Sequence, residues 1–215
     1  MSSGTAPATA WPPHSRRGDP PWEIAVLFPA QGHWTESEFL ALQKRTNRLV
    51  ELSDGQVQVL PMPSPFHQWV VRFLFRVLET FVLGLGSGEV LFAPLPIRLG
   101  PGKYRDPDIV YLRPGRIVDP HHQPQGADMA IEVVSDEEDD RVRDLDTKRR
   151  EYAEAGIAEY WLVDPREHVI LVLALDGDSY RVAGQFGHGA TACSVLLPGF
   201  AVPVDDVFAA GQGAA

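Results

Sequence analysis

Apolar and polar positions fall into a few distinct rhythms along this chain. Thr35-Glu-Ser-Glu38 has the form of a helix capping box, with Phe39, Leu40 and Leu42 behind it as packing residues, and predicts a short helix. Leu49-Val-Glu-Leu and Gln56-Val-Gln-Val-Leu60 are β-rich runs on either side of Ser53-Asp-Gly55. An Asp-Gly pair between two such runs is a hairpin signal. Pro61, Pro63 and Pro65 end the second run, and Ser64 is placed to cap a long helix over about 65–85. Its predicted packing face takes Trp69, Phe73, Val77 and Phe81, at four-residue steps.

Beyond Gly88 the rhythm changes to short β-runs, EVLFA, LPIRL and DIVYL, separated by Pro and Gly. Met129-Ala-Ile-Glu-Val-Val134 is almost continuously apolar, the signature of a strand buried on both faces. An acidic loop leads into a helix over about 143–155 that Gly156 closes, and β-runs follow at 159–163, 169–174 and 179–182. This order predicts an α/β domain with a central mixed β-sheet flanked by helices. Residues 1–22, rich in Pro, Ser, Gly and Thr, read as a disordered N-terminal arm; 23–208 read as the domain and 209–215 as a flexible tail.

Composition narrows the function classes. The 215 residues are 44% hydrophobic and 22% charged, enough for one core. The longest apolar stretch, 69–86, is broken by Arg72, Arg76 and Glu79, so no membrane span is expected. The N-terminus lacks the charged start and apolar core of a signal peptide, and the protein is expected to be cytoplasmic. Cys193, the sole cysteine, permits neither an internal disulfide nor a thiolate metal cluster. The net charge of −10 argues against a protein that holds nucleic acid by charge alone. The excess is local, however: residues 132–146 carry eight acids and two bases, −6 of the total.

Carboxylates within buried strands need partners, because an unpaired buried charge costs several kcal/mol. Glu132 stands inside the most apolar run, Asp108 opens Pro107-Asp-Ile-Val-Tyr-Leu112, and Glu51 ends the first strand of the hairpin. Each alone is explained by a salt bridge or a strand end. Three acids at strand positions far apart in sequence are also what a hard-cation site on a sheet requires. Lys148 lies three residues after Leu145 and four before Tyr152, on the inward face of its helix. A pair with Asp144, or a stem on the core with its head in water, would account for it as well.

As a set, Glu51, Asp108, Glu132 and Lys148 resemble the PD-(D/E)XK nuclease superfamily, with one departure. Val134 stands where the third motif has lysine, and Lys148 on the following helix could fill the same space. The chain is more closely similar to the Uma-two family of restriction-endonuclease-like proteins over about 34–208. The resemblance rests on Glu51-Leu-Ser-Asp-Gly55, Ser64-Pro-Phe-His-Gln68, Pro107-Asp-Ile-Val110 and Ile131-Glu-Val-Val-Ser135. It continues through Asp146-Thr-Lys-Arg-Arg-Glu-Tyr152, the run 156–164 and Pro198-Gly-Phe200. It implies a restriction-endonuclease-like fold and a divalent-metal nuclease site at Glu51, Asp108, Glu132 and Lys148. Mg²⁺ would be held by Asp108 and Glu132, with Glu51 as a further or water-mediated ligand and the Val133 carbonyl as another, and Mn²⁺ would substitute. Lys148 would position the attacking water and offset charge at phosphorus. The implied partner is nucleic acid, DNA first, and the enzyme would work as a homodimer.

Other signals carry less. His67, at the start of the long helix, reads as a packing or hydrogen-bonding residue; His121-His122 has no ligand spacing; the acids at 136–140 lack the glycine and terminal glutamate of an EF-hand loop. Tyr160 and Trp161 read as core, and Asp164 as a strand-end acid. Two alternatives keep the same residues: a catalytically silent nucleic-acid- or protein-binding module, which the −10 charge and the missing motif lysine favour, and a metal-dependent hydrolase of another phosphoester.

Overall fold

The computed structural model describes residues 29–135 and 141–213; the arm expected at 1–22 and the acidic run 136–140 lie outside them. In chain order the elements are α1 (Glu36–Gln43), β1 (Val50–Ser53), β2 (Gln56–Val59), α2 (Pro65–Leu85), β3 (Glu89–Phe92), β4 (Ile97–Gly100), β5 (Lys103–Arg105), β6 (Ile109–Leu112) and β7 (Met129–Val133). A π-helical turn (Arg143–Thr147) runs into α3 (Lys148–Glu154), followed by β8 (Glu159–Asp164), β9 (Val169–Asp176), β10 (Ser179–Phe186), β11 (Thr191–Cys193), β12 (Ala201–Pro203) and α4 (Val204–Ala210).

The local signals act as the sequence reading expects. Thr35 and Glu38 form a reciprocal capping box at the start of α1. Asp54 and Gly55, with φ of 50° and 74°, make the two-residue turn between β1 and β2, whose twist matches that of the strands it joins. Ser64 caps α2, and Gly86, at φ 62°, ends it. No described helix is long and apolar enough to cross a membrane.

Two sheets carry the domain. The larger has the order β10-β9-β8-β7-β6-β3 and is antiparallel except where β7 and β8 run parallel, which makes it mixed. α2 covers one face of it and α3 the other. Strand parity sorts the side chains of β7: Met129, Ile131 and Val133 join Val70, Leu74 and Leu78 of α2, while Ala130 and Val134 join Tyr152 and Ala153 of α3. Glu132 is even-numbered and therefore faces α3. The smaller sheet, β2-β1-β5-β4, is antiparallel and packs on α1 through Phe39, Val50, Leu52 and Tyr104. The chain leaves this sheet at Arg105 and enters the larger one at Ile109, so Asp106-Pro107-Asp108 spans the join.

Three expectations are corrected. The fully buried stripe of α2 is Val70, Val71, Leu74, Leu78 and Val82; of the expected residues Phe73, Val77 and Phe81 pack against the same core from its flank, half-buried, and Trp69 is half-buried as well. The helix is apolar over more than half its circumference, so four-residue spacing alone does not choose among neighbouring stripes. The slim aliphatic side chains face the sheet, and the rings cover its margin, where Phe81 meets Phe200. Next, β5 goes unpredicted because Lys-Tyr-Arg is short and polar; its pairing with β1 and β4 forms it. Finally, Ala209 and Ala210, placed in a flexible tail, belong to α4, whose Val204, Val207 and Phe208 are buried. Gly211 and Gly213 then lie so close to Phe66 and Trp69 that an added Cβ would come within 2.3 Å and 2.9 Å of the rings.

Candidate active site

The C-terminal end of β7, the entrance to β6, the start of α2 and the start of α3 converge on one cavity of about 550 Å³. Asp108, Glu132, Val133 and Lys148 all line it, together with Asp106, Asp144, Arg143 and His67. Thus β7 and its neighbour β6 bring Glu132 and Asp108 to one wall. The parallel crossover from β7 to β8 then returns α3 over the same strand end and delivers Lys148.

Lys148 Nζ lies 2.9 Å from Glu132 Oε1, 3.1 Å from Asp144 Oδ1 and 3.7 Å from Glu51 Oε1. Val134 packs into the core beside Tyr152, and the Lys148 ammonium reaches Glu132 from the helix above. The pair with Asp144 is the plainer one that helical spacing offers, and it exists alongside the other two. Tyr152 donates its hydroxyl proton to Glu132 Oε1 at 2.6 Å. Asp108 Oδ2 accepts from the Val133 amide at 2.8 Å and lies 3.2 Å from His67 Nε2.

Glu51 takes a different place. It is fully buried and lies behind Lys148, outside the cavity lining. Its Oε1 accepts from the Asp106 amide at 3.1 Å and its Oε2 pairs with Arg105 at 2.7 Å. Arg105 in turn holds Glu151 at 2.6 Å, which accepts from the Ser53 hydroxyl at 3.0 Å. A buried file of alternating charge therefore ties the hairpin, β5 and α3 together. In this structure Glu51 is a partner of Lys148 and Arg105 and presents no face to the cavity.

Electrostatics follow from burial and an excess of acids. Burial is the largest influence on the Glu132 carboxyl and raises it; Lys148 opposes, while Asp108 and Asp144 add to the rise. Burial likewise pushes Asp106 up to about 6, with Glu51 and Asp108 contributing. For Glu51 burial acts upward too, but Lys148, Arg105 and Arg143 outweigh it and the carboxyl is lowered. Burial opposes the charge on Lys148, yet Glu132, Asp144 and Glu51 overcome it and raise the ammonium well above the ordinary lysine range. His67 is raised because its bond to Asp108 outweighs burial.

The donor set suits a hard cation. Carboxylate oxygens outnumber the cations available to them, and Asp144 Oδ1 is buried without a hydrogen bond, although Lys148 Nζ is near. Among the described residues no group of three or more His, Cys, Asp or Glu side chains is assembled for a metal. A divalent ion here would rest on Asp108 and Glu132, with main-chain carbonyl and water oxygens completing its shell.

The sequence names His67 as a hydrogen-bonding residue and Asp144 as a partner of Lys148, and both contacts are present, but it places neither residue at the site and gives no part to Asp106 or Arg105. For His67 the available signal is its place one turn into a capped helix close to Pro65. For Asp106 it is the doubled acid in Asp106-Pro107-Asp108. The remaining candidates lie elsewhere: Asp164 is bound by Arg141 and by the amides of Arg166 and Glu167. His122 pairs with Asp119 in an exposed turn, and Tyr160 and Trp161 are fully buried.

Comparison with known proteins gives likenesses of two kinds, to a family and to solved structures. A family described as "Putative restriction endonuclease", Uma2, matches residues 36–205. A crystal structure from Anabaena variabilis, described as a putative nuclease belonging to DUF820, aligns over 85% of this chain and 99% of its own, with a TM-score of 0.68 and 20% identity. At that identity the likeness is one of fold. No curated protein matches the chain.

Proposed function

The chain belongs to the Uma2 family, and from that premise we propose that it is a Mg²⁺-dependent endonuclease that hydrolyses phosphodiester bonds in DNA. One observation carries the reading: Asp108, at the entrance to β6, and Glu132, on the adjacent β7, share a cavity with an ammonium 2.9 Å from Glu132. Mg²⁺, or Mn²⁺ in its place, held by Asp108, Glu132 and the Val133 carbonyl would supply Lewis acidity at a phosphoryl oxygen and lower the pKa of bound water.

The protein's own groups divide the remaining work. Lys148 keeps its proton, since three carboxylates surround it, so it acts as a hydrogen-bond donor and fixed positive charge rather than as a base. From there it orients the attacking water and offsets charge growing on the phosphoryl oxygens. Tyr152 fixes the rotamer of Glu132 through its hydroxyl, and the Val133 amide and His67 do the same for Asp108. Glu51, expected from the sequence as a further ligand, holds Lys148 from behind. A homodimer, with one site for each strand, is a separate proposal that sedimentation tests.

The experiment is cleavage of supercoiled plasmid in Mn²⁺ and in Mg²⁺ by wild type, Asp108→Ala, Glu132→Ala and Lys148→Ala. Cleavage by wild type alone is expected, with all four proteins folded. Full activity in a carboxylate variant overturns the site assignment. No cleavage by a folded, metal-loaded wild type favours the silent binding module of the same fold.

A further inference from the structure

Resting on the nuclease reading, we infer that two basic stretches on the rim of the cavity hold the phosphate backbone of the DNA: the turn Lys44–Arg48, and the stripe of α2 that carries Arg72 and Arg76. Among the described residues the cavity wall itself has no cation to spare for this. Asp106, Asp108, Glu132 and Asp144 line it against Arg143 and Lys148, and both cations lie beside carboxylates. Lys148 is committed to the phosphate being cut. The phosphates next to that one need cations placed further out, because Lys and Arg on the backbone supply much of the affinity for nucleic acid and fix its position.

The first stretch follows α1. The Arg45 and Thr46 amides both donate to the Leu42 carbonyl, and the Arg48 amide donates to the Thr46 hydroxyl oxygen at 3.0 Å, which fixes the turn. Asn47 and Leu49 line the cavity, and their chain neighbours Lys44, Arg45 and Arg48 are exposed. The second stretch begins at Gln68, which also lines the cavity, near the start of α2. Arg72 and Arg76 follow it at four-residue steps and are exposed as it is. All three therefore share one face of the helix and lead away from the cavity, about 6 Å at each step.

The fold makes no use of these charges. Lys44, Arg48, Arg72 and Arg76 meet no carboxylate of the described residues, whereas Arg98, Lys103, Arg116, Arg141 and Arg150 all do. Like charges four residues apart are mildly destabilising to a helix, so the spacing of Arg72 and Arg76 does not serve α2. The net charge of −10 does not oppose the grip, since charges beyond a Debye length, about 8–10 Å at ordinary salt, are largely screened. The nearer acids lie in the cavity, where a divalent ion on Asp108 and Glu132 would offset their charge.

Anisotropy of a fluorescein-labelled DNA duplex in Ca²⁺, across a series of salt concentrations, tests the inference, with cleavage in Mn²⁺ read beside it. The proteins are wild type, Lys44→Ala/Arg48→Ala, Arg72→Ala/Arg76→Ala and a control, Arg113→Ala/Arg181→Ala. The control removes the same charge from exposed positions elsewhere, beyond the end of β6 that is remote from Asp108 and on the outer strand β10. Each lost phosphate contact lowers the slope of log K against log salt by about 0.9. Each rim variant is therefore expected to lose about 1–2 from that slope and to bind about tenfold more weakly, while the control binds within about twofold of wild type. Mn²⁺ binding and Tm should match wild type throughout. Either rim variant binding as well as the control, or keeping the wild-type slope, overturns the inference, and if wild type cuts DNA the nuclease reading stands. If wild type cuts no DNA, the nuclease reading fails and the slopes still judge the rim; no binding by wild type overturns both.

Discussion

Replacing Arg105 with leucine tests whether the buried file of charge supports the site. Arg105 is 4% exposed and stands between Glu51 at 2.7 Å and Glu151 at 2.6 Å, whose side chains are 0% and 2% exposed. Leucine fills part of the space but leaves two buried carboxylates short of a cation. Removing one partner of a buried ion pair costs about 3–5 kcal/mol, against about 0–1 kcal/mol for an exposed pair. Glu51 retains Lys148 at 3.7 Å and the Asp106 amide, and Glu151 retains Ser53 and Lys103, so the lower half of that range is expected. For a domain of this size about 3–5 kcal/mol corresponds to a fall in Tm of roughly 6–20 °C. Urea titration and thermal melts of wild type, Arg105→Leu, Glu151→Leu and Arg105→Leu/Glu151→Leu give the comparison, and the double variant should regain part of the loss. A fall in Tm below about 3 °C, or a double variant weaker by the sum of its parts, would refute the reasoning.

Two further perturbations probe the frame around the site. Glu36 binds Arg98, the Gly102 amide and the Tyr104 hydroxyl, and the hydrogen bond from Arg98 is the main cause that holds its carboxyl down at about 2. A depressed carboxyl stabilises the fold above its unfolded pKa and loses that effect as pH falls toward the folded value. The stability gap between wild type and Glu36→Gln should therefore be constant above about pH 5 and narrow between there and about pH 2, measured by urea midpoints across pH. Gly55→Ala should cost about 1–3 kcal/mol in the same assay, because φ is +74° and the new Cβ would come within 2.6 Å of the Gly32 carbonyl oxygen. An unchanged midpoint would show that the turn bearing the Glu51 hairpin is not held as described.

The sequence reveals the fold where local chemistry and burial agree. Thr35, Asp54-Gly55, Ser64 and Gly156 each mark an element end, and the unbroken apolar run at Met129 marks a strand covered on both sides. Glu132 and Lys148 are legible for the opposite reason, as charges where the pattern calls for apolar residues. Asp144 is legible only as the i,i+4 partner of Lys148; its place in the cavity wall is hidden because its segment is already crowded with acids and it offers no contrast. Arg105 is hidden because its strand has three residues and forms through its neighbours. The π-helical turn at Arg143–Thr147 adds a shift of phase that regular helical spacing does not anticipate, and it buries Arg143 and Asp144 together beside Lys148.

The most direct measurement is a Mn²⁺ titration followed by electron paramagnetic resonance, with wild type beside Asp108→Ala and Glu132→Ala, all shown to be folded by their melts. Saturable binding to wild type, weakened at least about tenfold in both variants, is the predicted result. Binding of equal strength in all three proteins, or none in the wild type, would contradict the assignment of Asp108 and Glu132 as the carboxylates that hold the cation.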